Sequence, residues 1–297
     1  MSSFQQRSVC RLSGVAVEPA ILPWLRLVRV VTRSAMPMLI TRLGSSKMLN
    51  RIVVGDLASA DSELQGVLRD LRLRLLRMEI ASRTLRGKQE NAHSIPLYGP
   101  YLGRAYLETA CTALLARLDP FRVLAAKRHQ EASYYEFEAR SKSGIQWTGD
   151  IISPEKPGTQ MWSINTRENG CRSLLGPWTN ELIWIPAFDR LSDAIAKFGV
   201  VHDWISDLSN KQPERFCAEL RSSLEGLFSK FSKGVHSELL SNPAAAFDAV
   251  SIESDFHTVA QRLTCFALLS HFSDHFLYRW SEQKAIDFAN RIGGFWK

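Results

Sequence analysis

The sequence predicts a mainly α protein, a helical bundle with a loop and short-strand insertion near 141–185. Three observations lead there. Apolar residues recur at helical spacing over long stretches near 59–86, 101–117, 213–240 and 254–280. Glycine and proline gather in one region, where Gly144, Gly149, Gly158, Gly170 and Gly176 stand with Pro154, Pro157 and Pro177. Short apolar runs that suit strands, Ile145–Ile152 and Leu182–Ile185, fall in that same region. The expected organisation is an N-terminal tail over 1–35 and a single helical domain over 36–297.

Residues 1–18 carry no periodicity and read as a loose end. Ala20–Val31 is apolar, but Pro23, Arg26 and Arg29 interrupt it. It is too short and too charged to span a bilayer, and no small-residue cleavage site follows it. Met36 is an alternative start. Over Ser59–Arg86, Leu64, Val67, Leu68, Leu71, Leu75, Met78 and Leu85 share one face, and Leu73, Leu76 and Ile80 form a second. A helix apolar on two sides is expected between neighbours. Gly87 supplies a stop.

Glu90–Pro100 reads as a loop, because Pro96, Gly99 and Pro100 crowd it. Tyr101–Arg117 follows as an alanine-rich helix that a neighbour can approach closely, with Glu108 inside it as a half-buried carboxylate or a solvated one. Asp119-Pro120 breaks the pattern, and Phe121–Ala139 resumes it. Trp147, Trp162, Trp178 and Trp184 lie in the insertion, where they either fold back on the core or offer stacking surfaces. Phe188–Phe198 and Val201–Leu208 are short helices parted by Gly199. Ser254–Trp280 is a long helix, and Ser281–Gly293 is the last one.

The charge is uneven. Residues 1–140 hold 21 Lys and Arg against 12 Asp and Glu, an excess of nine, whereas 141–297 hold 16 against 18. The whole chain carries +7. Such asymmetry suggests an acidic partner for the first half, whether nucleic acid, an acidic protein or a membrane surface, or else an arginine-rich solvated surface. Within it, Arg69, Arg72 and Arg83 fall in one line along the predicted 59–86 helix. Arginines mounted on a helix suit phosphate contacts, so these three are the candidate nucleic-acid-binding residues. Five cysteines, at 10, 111, 171, 217 and 265, are scattered and never form C-x-x-C. They give neither a disulfide framework nor a zinc site and point to a reducing, cytoplasmic setting.

The segment Glu214–Leu240 is expected to organise the fold. Phe216, Leu220, Leu224, Leu227, Phe231 and Val235 make its apolar face, and Gly234 marks a close helix contact. Beside that face Glu225, Ser229, Ser232 and His236 form a polar stripe. The run Ser232-Lys233-Gly234-Val235-His236 resembles the LS-x-x-VH helix of HEPN-like proteins, helical bundles common in bacterial phage-defence and toxin loci, many of them ribonucleases. The resemblance implies a protein that acts on or binds RNA. His236 would then act with Ser232 and with Lys230, which holds the place of the family's arginine. Lysine lacks the bidentate grip of arginine, so the motif is degenerate. The resemblance thus leaves two outcomes, a metal-independent endoribonuclease or a non-catalytic subunit that binds nucleic acid or a partner protein through its basic half.

The sequence contains no G-x-x-x-x-G-K-[ST], G-x-G-x-x-G or G-x-S-x-G pattern. His271 and His275 stand at i, i+4 with Asp274 near, but without the glutamate of a metalloprotease motif. No metal and no cofactor are expected. The expected partner is RNA before DNA, or an acidic protein, and a homodimer is among the assemblies the sequence allows.

Overall fold

Small residues decide which helix takes the centre. The computed structural model describes residues 49–58, 62–86, 94–132, 174–200, 207–235 and 247–293. All of these lie within Ser45–Lys297. In chain order the helices are α1 (Leu49–Val54), α2 (Glu63–Arg86), α3 (Ile95–Leu118), α4 (Pro120–Gln130), α5 (Ile185–Phe198), α6 (Pro213–Val235), α7 (Ala249–Leu269) and α8 (Glu282–Gly293). Among the described residues every regular element is helical, so the chain is mainly α.

The axis of the bundle is α3, not the 213–240 segment. It packs against α1, α2, α4, α6 and α7. The reason lies in its sequence. α6 has one apolar face and serves one side, whereas α3 has small or apolar residues all round. A Cβ on Gly103 would stand 2.5 Å from the Phe231 ring of α6, and one on Gly99 would stand 2.8 Å from Ile252 of α7. Gly234 of α6 in turn lies against Pro100. Three glycines thus bring three helices together closer than any side chain would permit.

Helix α3 starts earlier than the prolines suggest. Residues 95–100, expected in a loop, form its first turns. Pro96 occupies the first turn, where a backbone N–H has no intrahelical partner to lose. Asp119 then ends α3 and caps α4, accepting from Arg122 N at 3.1 Å. Asp248 starts α7 in the same way, accepting from Val250 N and Ser251 N at 2.9 and 3.0 Å. Those bonds and the Ser251 hydroxyl hold its carboxyl below the ordinary range.

Two further expectations are corrected. Helix α7 stops at Leu269 rather than Trp280. The chain turns there, and Phe272, Phe276 and Trp280 are buried from a non-helical segment. Leu182–Ile185 is not a strand. It lies in a π-helix, Asn180–Trp184, that runs into α5. Trp184, Phe188, Leu191 and Ile195 are all buried, so the helical period of α5 begins inside the expected insertion. Trp184 packs 4.4 Å from Phe266 and 5.2 Å from Phe276, and its Nε1 donates to Leu174 O at 2.6 Å.

The tail over 1–35 and residues 141–173 of the insertion, with Trp147 and Trp162, lie outside the described residues. No described helix is long and apolar enough to cross a membrane.

Candidate nucleic-acid interface

The HEPN-like stripe is only partly placed. Phe216, Leu220, Leu224, Leu227 and Phe231 form the buried face of α6. Lys230 holds Asp255 of α7 in an ion pair of 2.7 Å. Ser232 donates its hydroxyl to Phe228 O at 2.8 Å, one turn back on its own helix. His236 lies outside the described residues. Both described members of the expected catalytic set therefore already have a partner.

The arginine line is a different case. Helix α2 carries six arginines against three acidic residues. Leu64, Leu68, Leu71 and Leu75 point into the core. Arg69 and Arg83 are exposed, while Arg72 is half-buried at the junction with α1. There Arg72 Nε donates to Asn50 Oδ1 at 3.3 Å. Arg69 reaches Gln65 Oε1 at 3.4 Å. Burial lowers the proton affinity of Arg72, and the neighbouring charge of Arg51 lowers it further. Two guanidiniums from two helices thus converge. Among the described residues no carboxylate forms an ion pair with Arg72, Arg74, Arg77 or Arg83. Glu63, at the start of α2, is taken by Lys127 and Arg128 of α4, at 3.2 and 2.7 Å.

The same edge holds a carboxyl. Glu79 lies one helical turn before Arg83 and two turns after Arg72. It is half-buried where α1, α2 and α3 meet. The Tyr106 hydroxyl donates to Oε1 at 2.9 Å, and Asn50 Nδ2 donates to Oε2 at 3.2 Å. Burial pushes its pKa up to about 7, against the opposing pull of the Tyr106 and Asn50 hydrogen bonds and the Arg83 charge. Tyr106 is buried beside it, and burial together with the Glu79 carboxyl raises its phenol pKa well above the ordinary value. Sequence reasoning left Glu108 either half-buried or solvated, and the structure makes it half-buried. Glu108 is ion-paired with Arg104 of its own helix at 3.2 Å. The signal for Glu79 was its phase, shared with Arg72 and Arg83. Its burial comes from Asn50 and Tyr106, which are distant in sequence.

The histidine pair does not form. His271 is buried, and its ring stacks on Trp280 at 4.9 Å. Its Nδ1 accepts from Trp280 N at 3.0 Å, so Nε2 carries the proton and donates to Ile52 O at 2.9 Å. His275 is exposed. Asp274 pairs with Arg190 and Arg279 at 2.8 and 2.6 Å. Among the described residues no group of three or more His, Cys, Asp or Glu is arranged to hold a metal ion. Cys111, Cys217 and Cys265 are buried and form no disulfide with one another, and burial pushes the thiols of Cys217 and Cys265 up to about 12.

Sequence reasoning also missed Arg117. It is fully buried at the end of α3 and donates to Val53 O, Ser270 Oγ and Leu277 O at 3.0, 2.8 and 2.9 Å. Burial, with the charge of Arg279 nearby, lowers its pKa to about 9. An arginine in the last turn of a helix ordinarily serves the exposed carbonyls there, so no local pattern announced it.

Compared with protein-family models, with curated proteins and with solved structures, the chain matches none.

Proposed function

We propose that the protein binds RNA along the arginine edge of α2, as a subunit of a bacterial defence or toxin–antitoxin system. One observation carries this reading. Arg51 and Arg72 approach closely enough for their charges to oppose each other, and a carboxyl on that edge, Glu79, is half neutral at pH 7. An arrangement of this kind costs free energy in the empty protein. Phosphates lying across Arg51, Arg72 and Arg83 would relieve it, and guanidinium forks match phosphate oxygens. Such contacts position a polynucleotide without reading its bases.

The likeness of Ser232–His236 to HEPN-like helices supports RNA over DNA. We prefer binding to ribonuclease action because Lys230 and Ser232 are engaged by Asp255 and by Phe228 O.

A charge-reversal pair tests the assignment. Arg72→Glu with Arg83→Glu should abolish binding of a labelled oligouridylate. Arg215→Glu with Arg291→Glu, at exposed residues of α6 and α8, is the charge-matched control and should reduce it only slightly. Equal losses in both proteins would show that net charge, not this edge, governs binding.

A further inference from the structure

We infer that RNA binding on the α2 edge and protonation of the Glu79 carboxyl are coupled, so that the protein takes up a proton as the polymer binds and binds more tightly as pH falls towards 6. The inference rests on the binding role proposed above.

The argument begins with geometry. Glu79 has a neutral donor on each oxygen and the Arg83 charge nearby. Arg72 and Arg83 flank it on its own helix. From α1 come Asn50, which donates to Oε2 and accepts from Arg72, and Arg51, whose charge acts on Arg72. From α3 comes Tyr106, which donates to Oε1. Among the described residues Glu79 is the carboxyl hydrogen-bonded here, whereas Asp56, which also feels the Arg51 charge, is paired with Lys284 at 3.0 Å. The Glu79 charge therefore partly cancels the arginines that would meet phosphate.

An incoming phosphate and an ionised Glu79 compete for the same cations, and they repel each other across a half-buried edge where screening is weak. Two outcomes are open to the carboxyl. It stays charged and weakens binding, or it takes a proton and leaves the arginines to the polymer. The proton has a place to go. Oε1 can carry it, because the Tyr106 hydroxyl can accept as well as donate, whereas the Asn50 amide nitrogen at Oε2 only donates. Burial already brings the neutral form within reach near pH 7. Binding then favours that form further, and each pH unit by which the Glu79 titration moves upward changes affinity tenfold across the window.

The test uses the full chain and a cyanine-labelled oligouridylate without a terminal phosphate, whose phosphodiesters, bases and dye do not titrate between pH 6 and 8. Affinity is measured at both limits for the parent and for Glu79→Gln. The parent should tighten at least about threefold more than Glu79→Gln, and the variant should bind at pH 8 about as the parent does at pH 6. An identical pH response in the two proteins overturns the coupling and leaves the binding role standing. No binding by the parent at either pH overturns the binding role and the coupling with it. If Glu79→Gln does not fold, carbon-13 NMR of labelled glutamate in the parent answers the same question. The Glu79 carboxyl should titrate at higher pH when the oligonucleotide is added, and an unmoved titration overturns the inference.

Discussion

Arg117 and His271 hold successive carbonyls at the end of α1. Arg117 Nη1 donates to Val53 O at 3.0 Å, and His271 Nε2 donates to Ile52 O at 2.9 Å. The last carbonyls of any helix lack intrahelical donors, and a cation there also opposes the negative end of the helix dipole. Helix α1 is only six residues long and would be marginal alone. Its C-terminal end is thus fixed by side chains from the end of α3 and the turn after α7. Gly55 completes the arrangement, at φ +78, where a Cβ would strike Tyr278 O.

Arg117→Ala should destabilise the fold by about 3–5 kcal/mol, because it leaves Val53 O and Leu277 O buried without donors. Chemical denaturation measures it. Ser270→Ala, which removes one of the three Arg117 acceptors, should cost about 1 kcal/mol. A loss below about 1 kcal/mol for Arg117→Ala would mean that water replaces the guanidinium freely.

Glu79 and His271 should give opposite pH dependences of stability. The folded pKa of Glu79 is raised from 4.5 to about 7, so its stabilising contribution at low pH is lost as pH rises through that window. His271 lies well below its ordinary 6.5 in the folded state, so its contribution is present above 6.5 and lost as pH falls. Between pH 5 and 7 the two effects have opposite signs and offset each other in the parent. Glu79→Gln should then show stability rising with pH over that range. His271→Gln should show it falling. Parallel curves for all three proteins would contradict the assignment.

Glycine substitutions should separate packing from propensity. Gly103→Ala forces a methyl into the Phe231 ring and should cost about 1–3 kcal/mol. Gly66 of α2 and Gly226 of α6 have nothing within 4 Å of a built Cβ. Alanine there should stabilise by about 0.5–1 kcal/mol, since glycine is the poorer helix former. Melting temperatures of the three variants check the signs.

The apolar faces of α2 and α6 were legible because each helix buries one periodic stripe, Leu64–Leu68–Leu71–Leu75 and Phe216–Leu220–Leu224–Leu227–Phe231. The arginine line was legible for the same reason, since phase alone aligns Arg72 with Arg83. The start of α3 was hidden by Pro96 and Pro100, which read as breakers although the first helical turn tolerates Pro96 and the helix continues through Pro100. The end of α7 was hidden because Phe272, Phe276 and Trp280 keep an apolar rhythm through a turn that is equally buried. Neither the raised Glu79 carboxyl nor the buried Arg117 has a local signature. Tyr106 lies 27 residues from Glu79, and Leu277 lies 160 residues from Arg117. Tertiary contacts of that span decide which charged side chain is buried, and periodicity does not report them.

The salt dependence of RNA binding tests the central claim most directly. Affinity for oligouridylate is measured from low to physiological salt for the parent and for Arg69→Gln with Arg72→Gln and Arg83→Gln. The parent should lose affinity linearly in log salt, and the triple variant should bind more weakly, with a slope shallower by roughly 2 if each arginine meets one phosphate of a single strand. A parent that does not bind at low salt, or a triple variant with an unchanged slope, would contradict the account.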